Sequence, residues 1–244
     1  MKKALLLSSA MILSLGAMSA EASAEQPAAS AYHAEKPITI DGDLGEWNLS
    51  SPIEIKDASQ IIRDESSWLG ETDVSCTVYL MWDEENLYLA SDTKEASSLG
   101  AVGVIGHNME DNFKIYISTN PEADPERTSF ETNDFLLYLM MDSQNWYTAI
   151  DRSMIEREQL EGYEKEYTTT DEGFIFEAAI PWANFSNKQI EQYVPKAGDT
   201  INFNFCITDN DYPFPNTQSS VQMSWCGTME INKNPSLWGR VTFE

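Results

Sequence analysis

Lys114, Tyr116, Tyr138 and Asn204 each stand in an alternating run, on the side of the strand away from its aromatic and aliphatic residues. Phe113, Ile115 and Ile117 alternate with Lys114, Tyr116 and Ser118. Phe135, Leu137 and Leu139 alternate with Leu136, Tyr138 and Met140. Phe203 and Phe205 alternate with Asn204 and Cys206. Two tyrosines supply flat faces that stack on a ring, and a lysine and an asparagine supply hydrogen bonds to hydroxyls. That is the chemistry of a cleft for a polar, cyclic ligand. The same pattern equally describes a second half-buried face covered by long loops. Trp146 and Tyr212, with Trp68 and Phe214, lie in or beside polar loops and offer a further aromatic platform. Tyr212-Pro213-Phe214-Pro215 serves as well to pin a loop.

Other side chains suggest other chemistry. Asp209 with Asp211, or Asp41 with Asp43, can offer oxygens to Ca²⁺. Neither pair sits in an EF-hand pattern, and both also read as turn residues. Nucleophilic catalysis has little to work with: His33 and His107 are the only histidines, and no G-x-S-x-G elbow is present. The cysteines are Cys76, Cys206 and Cys226, without CxxC or zinc spacing. Cys206 falls late in one strand and Cys226 at the end of the next. If those strands pair, a Cys206–Cys226 disulfide is expected, with Cys76 a buried thiol; three reduced thiols are the alternative.

The elements that must carry these residues are strands. Val74 to Trp82 alternates, Asp83-Glu84-Glu85-Asn86 turns, and Leu87 to Ala90 returns as a hairpin. Phe174 to Ile180 ends at Pro181, which cannot donate to a ladder. Ile201 to Ile207, Val221 to Trp225 and Val241 to Phe243 follow. Helix is sparse: a short one is expected over Arg152 to Leu160 and a single turn over Trp182 to Phe185. Many short strands with polar turns predict an all-β fold, one sandwich of two antiparallel sheets.

The first residues read as an address. Lys2 and Lys3 precede an uncharged apolar run from Ala4 to Met18, and Ala22-Ser23-Ala24 fits a signal peptidase site. The expectation is a signal peptide over 1–24, a disordered lead-in over 25–37 and one domain over 38–244, with export to the periplasm or beyond and no membrane span. The chain has 40 acidic and 15 basic residues, a formal charge of −25. That field repels nucleic acid and anionic membranes, and favours cations and neutral ligands.

Ile40-Asp41-Gly42 with Glu46-Trp47 opens a series of motifs. It continues through Val78 to Leu89, Glu110-Asp111-Asn112-Phe113, Phe176-Glu177-Ala178-Ala179-Ile180-Pro181-Trp182, Gly198 to Phe205 with Asp209-Asn210-Asp211, and Asn234-Pro235-Ser236-Leu237-Trp238-Gly239. In order and spacing, from about Ile38 to Phe243, the chain resembles the family 9 carbohydrate-binding modules and their DOMON-like relatives. The resemblance implies an immunoglobulin-like or jelly-roll-like sandwich that binds neutral carbohydrate rather than cutting it, with a secreted glycoside hydrolase as partner. The sheet order it implies would make Lys114, Tyr116, Tyr138 and Asn204 neighbours; with the loop aromatics Trp146 and Tyr212 they are the residues to examine for sugar.

The departures are specific. Two tryptophans sandwich the sugar in members of that family, and their positions fall near Asn108 and Asn232. The family's Glu falls at Lys114, its Arg near Leu136 and its Gln at Cys206. The usual grip on a pyranose is therefore absent, and any sugar site is built from other groups. The relatives also include b-type haem carriers of electron-transfer proteins. His107, Met109, Met140 and Lys114 would supply axial atoms for that alternative; an interaction domain with no small ligand is a third.

Overall fold

The computed structural model describes residues 26–96, 111–140, 149–152, 156–186, 191–211 and 220–244. The strands run in chain order β1 (Ala28–His33), β2 (Ile53–Ile55), β3 (Ile61–Arg63), β4 (Val74–Trp82), β5 (Asn86–Glu95), β6 (Asn112–Ser118) and β7 (Asp134–Met140). They continue as β8 (Ala149–Arg152), β9 (Glu156–Gln159), β10 (Glu164–Thr169), β11 (Gly173–Pro181), β12 (Thr200–Asp209), β13 (Val221–Ser224) and β14 (Gly239–Phe243). Among the described residues the helical segments between them are short 3₁₀ turns, including Trp182–Phe185, and none is long and apolar enough to cross a membrane. The path of paired strands is β10-β11-β5-β4-β1-β14-β12-β6-β7-β8-β9, with β2 beside β4, β13 beside β12 and β3 beside β13.

Alternation explains why this ribbon folds onto itself. Val78, Leu80, Leu89, Phe176 and Ala178 from one half share a core with Ile115, Leu137, Phe203, Met223 and Phe243 from the other. Phe113 of β6 meets Phe176 of β11 edge to face at 5.2 Å, and Trp182 meets Phe243 at 6.0 Å. The two inner faces thus pack as a sandwich, with side chains of period two turned alternately inward and outward. The faces expected from the sequence are the faces observed, and Cys76 is buried as expected.

Two motifs are clamped together by one buried carboxylate. Glu177 in β11 turns away from the core and accepts hydrogen bonds from the backbone N–H of Asp41 (2.8 Å) and Gly42 (2.6 Å) and from Trp47 Nε1 (2.5 Å). Gly42 has φ +79°, and a Cβ there would fall 2.2 Å from Thr168 Oγ1. Only glycine fits that turn. Burial pushes the Glu177 carboxyl above its usual range, against the pull of its three donors. The turn brings Trp47 onto Met81, Tyr88 and Ala179, covering the outer face of the first sheet. At the hairpin Asp83 accepts from Glu85 N, Asn86 N and Tyr88 Oη, and its carbonyl accepts from Trp182 Nε1.

Two expectations are corrected. The supposed disordered lead-in forms β1, which runs parallel to both β4 and β14 and closes the gap between the two sheets; Ala31 pairs with both Leu80 and Phe243. Small residues fit that narrow channel, and the pairing is carried by the backbone, so side-chain pattern gives little sign of it. The sandwich is accordingly antiparallel except at β1. Residues expected to be helical within Arg152 to Leu160 instead pair as β8 and β9. The signal peptide lies outside the described residues.

Candidate functional site

The outer face of the second sheet is fixed by register. Tyr138 stands opposite Lys114, Lys114 opposite Cys206, and Cys206 opposite Ser224. One step toward the far end, Leu136, Tyr116 and Asn204 form the next row. One step the other way, Asn112, Thr208, Gln222 and Arg63 line up across β6, β12, β13 and β3.

The far end is sealed. The segment after β13 folds back over it through the 3₁₀ turns Met229–Asn232 and Pro235–Leu237. Trp238 is fully buried against Tyr116 at 5.6 Å and Phe130 at 5.3 Å, and donates from Nε1 to the Ile231 carbonyl. Tyr116 donates to Asn232 Oδ1 at 2.5 Å. Asn204 donates to Ser224 Oγ and accepts from Cys226 N. Beyond them Arg127 forms a two-pronged pair with Asp134 (3.1 and 2.6 Å) and donates to Asn202 Oδ1. These groups bind one another; no room for a ligand follows from them.

The near end is built differently. Lys114 Nζ lies 5.7 Å from the centre of the Tyr138 ring, a cation–π contact. Both residues are more than nine-tenths buried. Burial holds the ammonium below the usual lysine range, and the nearby Arg63 charge adds to that. No ion pair of Lys114 is present among the described residues. Thr208 Oγ1 and Gln222 Nε2 are buried beside it without hydrogen-bond partners. Leaving such groups bare costs about 1–3 kcal/mol each. The Ser118 hydroxyl at the sealed end is also bare, but it is a single hydroxyl rather than a cluster flanking two cations.

Of the expected sugar residues, Lys114 and Tyr138 are therefore brought together at the near end. Tyr116 and Asn204 share their face but are committed to the sealing segment. Trp146 and Tyr212 lie outside the described residues, as do His107 and Met109 of the haem alternative. Arg63, Thr208 and Gln222 were missed. Alternation does place Thr208 and Gln222 on the side away from Ile207, Val221 and Met223, but nothing in the sequence aligns them with Lys114.

Asp209 is almost fully buried at the end of β12, on the opposite side from Thr208. Its ligand oxygen, one from Glu95 and one from Asp211 all lie within 4.8 Å of one another. Burial, then the charges of Glu95, Asp211, Asp111 and Asp73, push the Asp209 carboxyl up to about 9. Its Oδ1 meets no hydrogen-bond donor. Three oxygen ligands on a rigid strand end suit a hard cation such as Ca²⁺. Glu95 joins Asp209 and Asp211 only through tertiary packing. The Asp41–Asp43 alternative is spent on its own turn: each accepts from a backbone N–H two residues on.

The disulfide expectation is corrected. β12 and β13 do pair, but Cys206 faces Ser224 and Cys226 lies beyond the strand, so all three cysteines are free thiols. Burial raises Cys206 to about 11 and Cys226 to about 12, which leaves them poor nucleophiles.

The outer face of the second sheet thus carries one row whose polar groups are satisfied by the sealing segment and one buried row with bare polar atoms. Residues 40–244 match the carbohydrate family 9 binding domain-like family, and the chain belongs to that family, a family of non-catalytic carbohydrate-binding domains. It is similar to endo-1,4-beta-xylanase A of Thermoanaerobacterium saccharolyticum (23% identity over 189 residues, 77% of this chain and 14% of the relative). It is also similar to exoglucanase XynX of Acetivibrio thermocellus (22% over 162 residues, 66% of this chain and 13% of the relative). The chain thus spans only a small part of these relatives. Among solved structures it resembles a family 9 carbohydrate-binding module of Caldicellulosiruptor kristjanssonii in complex with glucose (TM-score 0.61, 17% identity, 88% of this chain, 95% of that one). The same organism's module in complex with cellotriose gives TM-score 0.60 at 18% identity, over 88% and 93%. At these identities the structures show the fold.

Proposed function

We propose that the protein is exported and binds a carbohydrate chain at the Lys114–Tyr138 end of the outer face, acting beside secreted glycoside hydrolases. One observation carries the placement: two buried polar groups, Thr208 Oγ1 and Gln222 Nε2, lack partners beside a stacked Lys114–Tyr138 pair. A sugar offers what they lack, hydroxyls that donate and accept, with a ring face for Tyr138. The xylanase and exoglucanase relatives, and the sugar-bound neighbours, support the ligand class and the company it keeps. Affinity electrophoresis against a panel of plant polysaccharides tests it. Retardation of the native chain should be lost in Tyr138→Ala and kept in Tyr116→Phe. Equal retardation of both variants would move the site elsewhere.

Glu95, Asp209 and Asp211 make a second proposal: one structural Ca²⁺. The bare Oδ1 of a buried carboxylate supports it, because a cation replaces the missing donor. Calcium should raise the melting temperature and EDTA lower it; identical melts would remove the ion.

A further inference from the structure

The chain's overall charge argues for a neutral ligand, yet the Lys114–Tyr138 end carries cations. Of the 15 basic residues set against 40 acidic ones, Lys114 and Arg63 lie within electrostatic reach of each other here. Lys114 is buried where the family motif has a carboxylate. Arg63 stands opposite Gln222, whose other strand partner is Thr208. Its closest carboxylate is Asp64 at 3.7 Å, contacted through Nε, with the side chain about a third exposed. Thr208 Oγ1 and Gln222 Nε2 point into the same row without partners.

Two cations, a bare amide donor and a bare hydroxyl form a receptor for an anionic oxygen pair beside a ring. A glutamate at position 114 would serve sugar hydroxyls; a lysine there pairs with a carboxylate. Acidic residues adjoin this row at Asp64, Asp111 and Asp209, but Asp209 turns to the opposite side from Thr208 and Asp111 accepts from Asn210 N. Acidic groups beyond about 8 Å are screened at physiological ionic strength. Lys114 is buried with no ion pair among the described residues, and an incoming carboxylate would supply a counter-charge.

Building on the carbohydrate site proposed above, we propose that the sugar bound there is acidic, a uronic acid residue whose carboxylate is held by Lys114 and Arg63 while its ring lies on Tyr138. Thr208 and Gln222 complete the site by hydrogen bonding to the carboxylate and to a neighbouring hydroxyl. Neutral stretches of the same polysaccharide are then followed weakly, and uronate side groups or blocks are the preferred landing points.

Calorimetry on matched oligosaccharides tests this. Cellotriuronate is compared with cellotriose, and trigalacturonate with its carboxyl-reduced counterpart, so that each pair differs only at the acid. The acidic member of at least one pair should bind about 10-fold tighter or more. That preference should shrink to within about threefold in Lys114→Met and in Arg63→Gln, and should weaken as salt is raised. Lys114→Met keeps the volume of the stem and removes a buried charge, so it should melt no lower than the native chain; Arg63→Gln is a partly exposed change and provides an independent check. Equal or tighter binding of the neutral member in both pairs would overturn the inference and leave the carbohydrate site standing. A preference for acid that persists in both variants would overturn the assignment to these residues. Binding of none of the four sugars would overturn the inference and the carbohydrate site together.

Discussion

Tyr116 and Tyr138 lie on the same face of neighbouring strands, one row apart, and meet different fates. Tyr116 is covered by Trp238 and gives its hydroxyl to Asn232; Asn204 beside it is bonded to Ser224 and Cys226. Tyr138 faces Lys114, and in the row beyond Thr208 Oγ1 and Gln222 Nε2 have no hydrogen-bond partner. A polar residue on an outer strand face therefore says little about binding until its satisfaction is known. Where the fold has already supplied the partner, the residue belongs to the structure. Where it has not, a ligand can supply it.

The comparison breaks most easily at Trp238. Trp238→Ala removes a fully buried ring that roofs Tyr116 and Phe130, and should cost about 3–5 kcal/mol of stability. Denaturant unfolding measures it, and the folded fraction should keep its affinity for sugar. A large loss of affinity at constant folded fraction would show that the sealed end takes part in binding.

Asp209 gives the next largest effect. Without metal its carboxyl sits at about 9, against about 3.9 in an unfolded chain. Between those values the folded protein holds a proton that the unfolded chain has lost, so stability falls as pH rises from about 4 to about 9. Asp209→Asn should flatten that fall in EDTA. Calcium at 100 times its dissociation constant should add about 2.7 kcal/mol to the native chain and little to this variant. Melting curves across pH, with and without the ion, read both effects; a variant that still responds fully to calcium would place the metal elsewhere.

At the Lys114–Tyr138 end Tyr138→Ala should weaken sugar binding by about 1–3 kcal/mol with folding intact. Tyr116→Phe is the matching control. It removes one buried hydrogen bond to Asn232, costs about 1 kcal/mol of stability, and should leave binding unchanged. If the two variants exchange these effects, the two ends have been assigned the wrong way round.

The sequence disclosed the sandwich because its strands alternate cleanly: Phe113, Phe176, Phe203 and Val241 all turn inward as their spacing requires. It disclosed the Asp41-Gly42 turn and the Pro181-Trp182 strand end, although the clamp between them through Glu177 is a long-range contact. β1 was hidden because Ala28 to Ala31 has no strand signature of its own; its place comes from the free edges of β4 and β14. The cysteine pairing failed by two residues of register, which alternation alone does not set. The candidate site was half visible. Lys114 and Tyr138 followed from period two and the family motif. Arg63 enters through β3, whose partner β13 is distant in sequence, Glu95 reaches Asp209 only through tertiary packing, and Tyr116 looked equivalent to Tyr138 because burial by a later segment leaves no local mark.

Backbone amide shift mapping tests the central claim most directly. Titration of isotope-labelled protein with cellotriuronate and cellotriose should perturb Arg63, Lys114, Tyr138, Thr208 and Gln222, and leave Tyr116, Asn204 and the Asn232–Trp238 segment unmoved. Perturbations gathered on that sealing segment, or on the outer face covered by Trp47, would contradict the account.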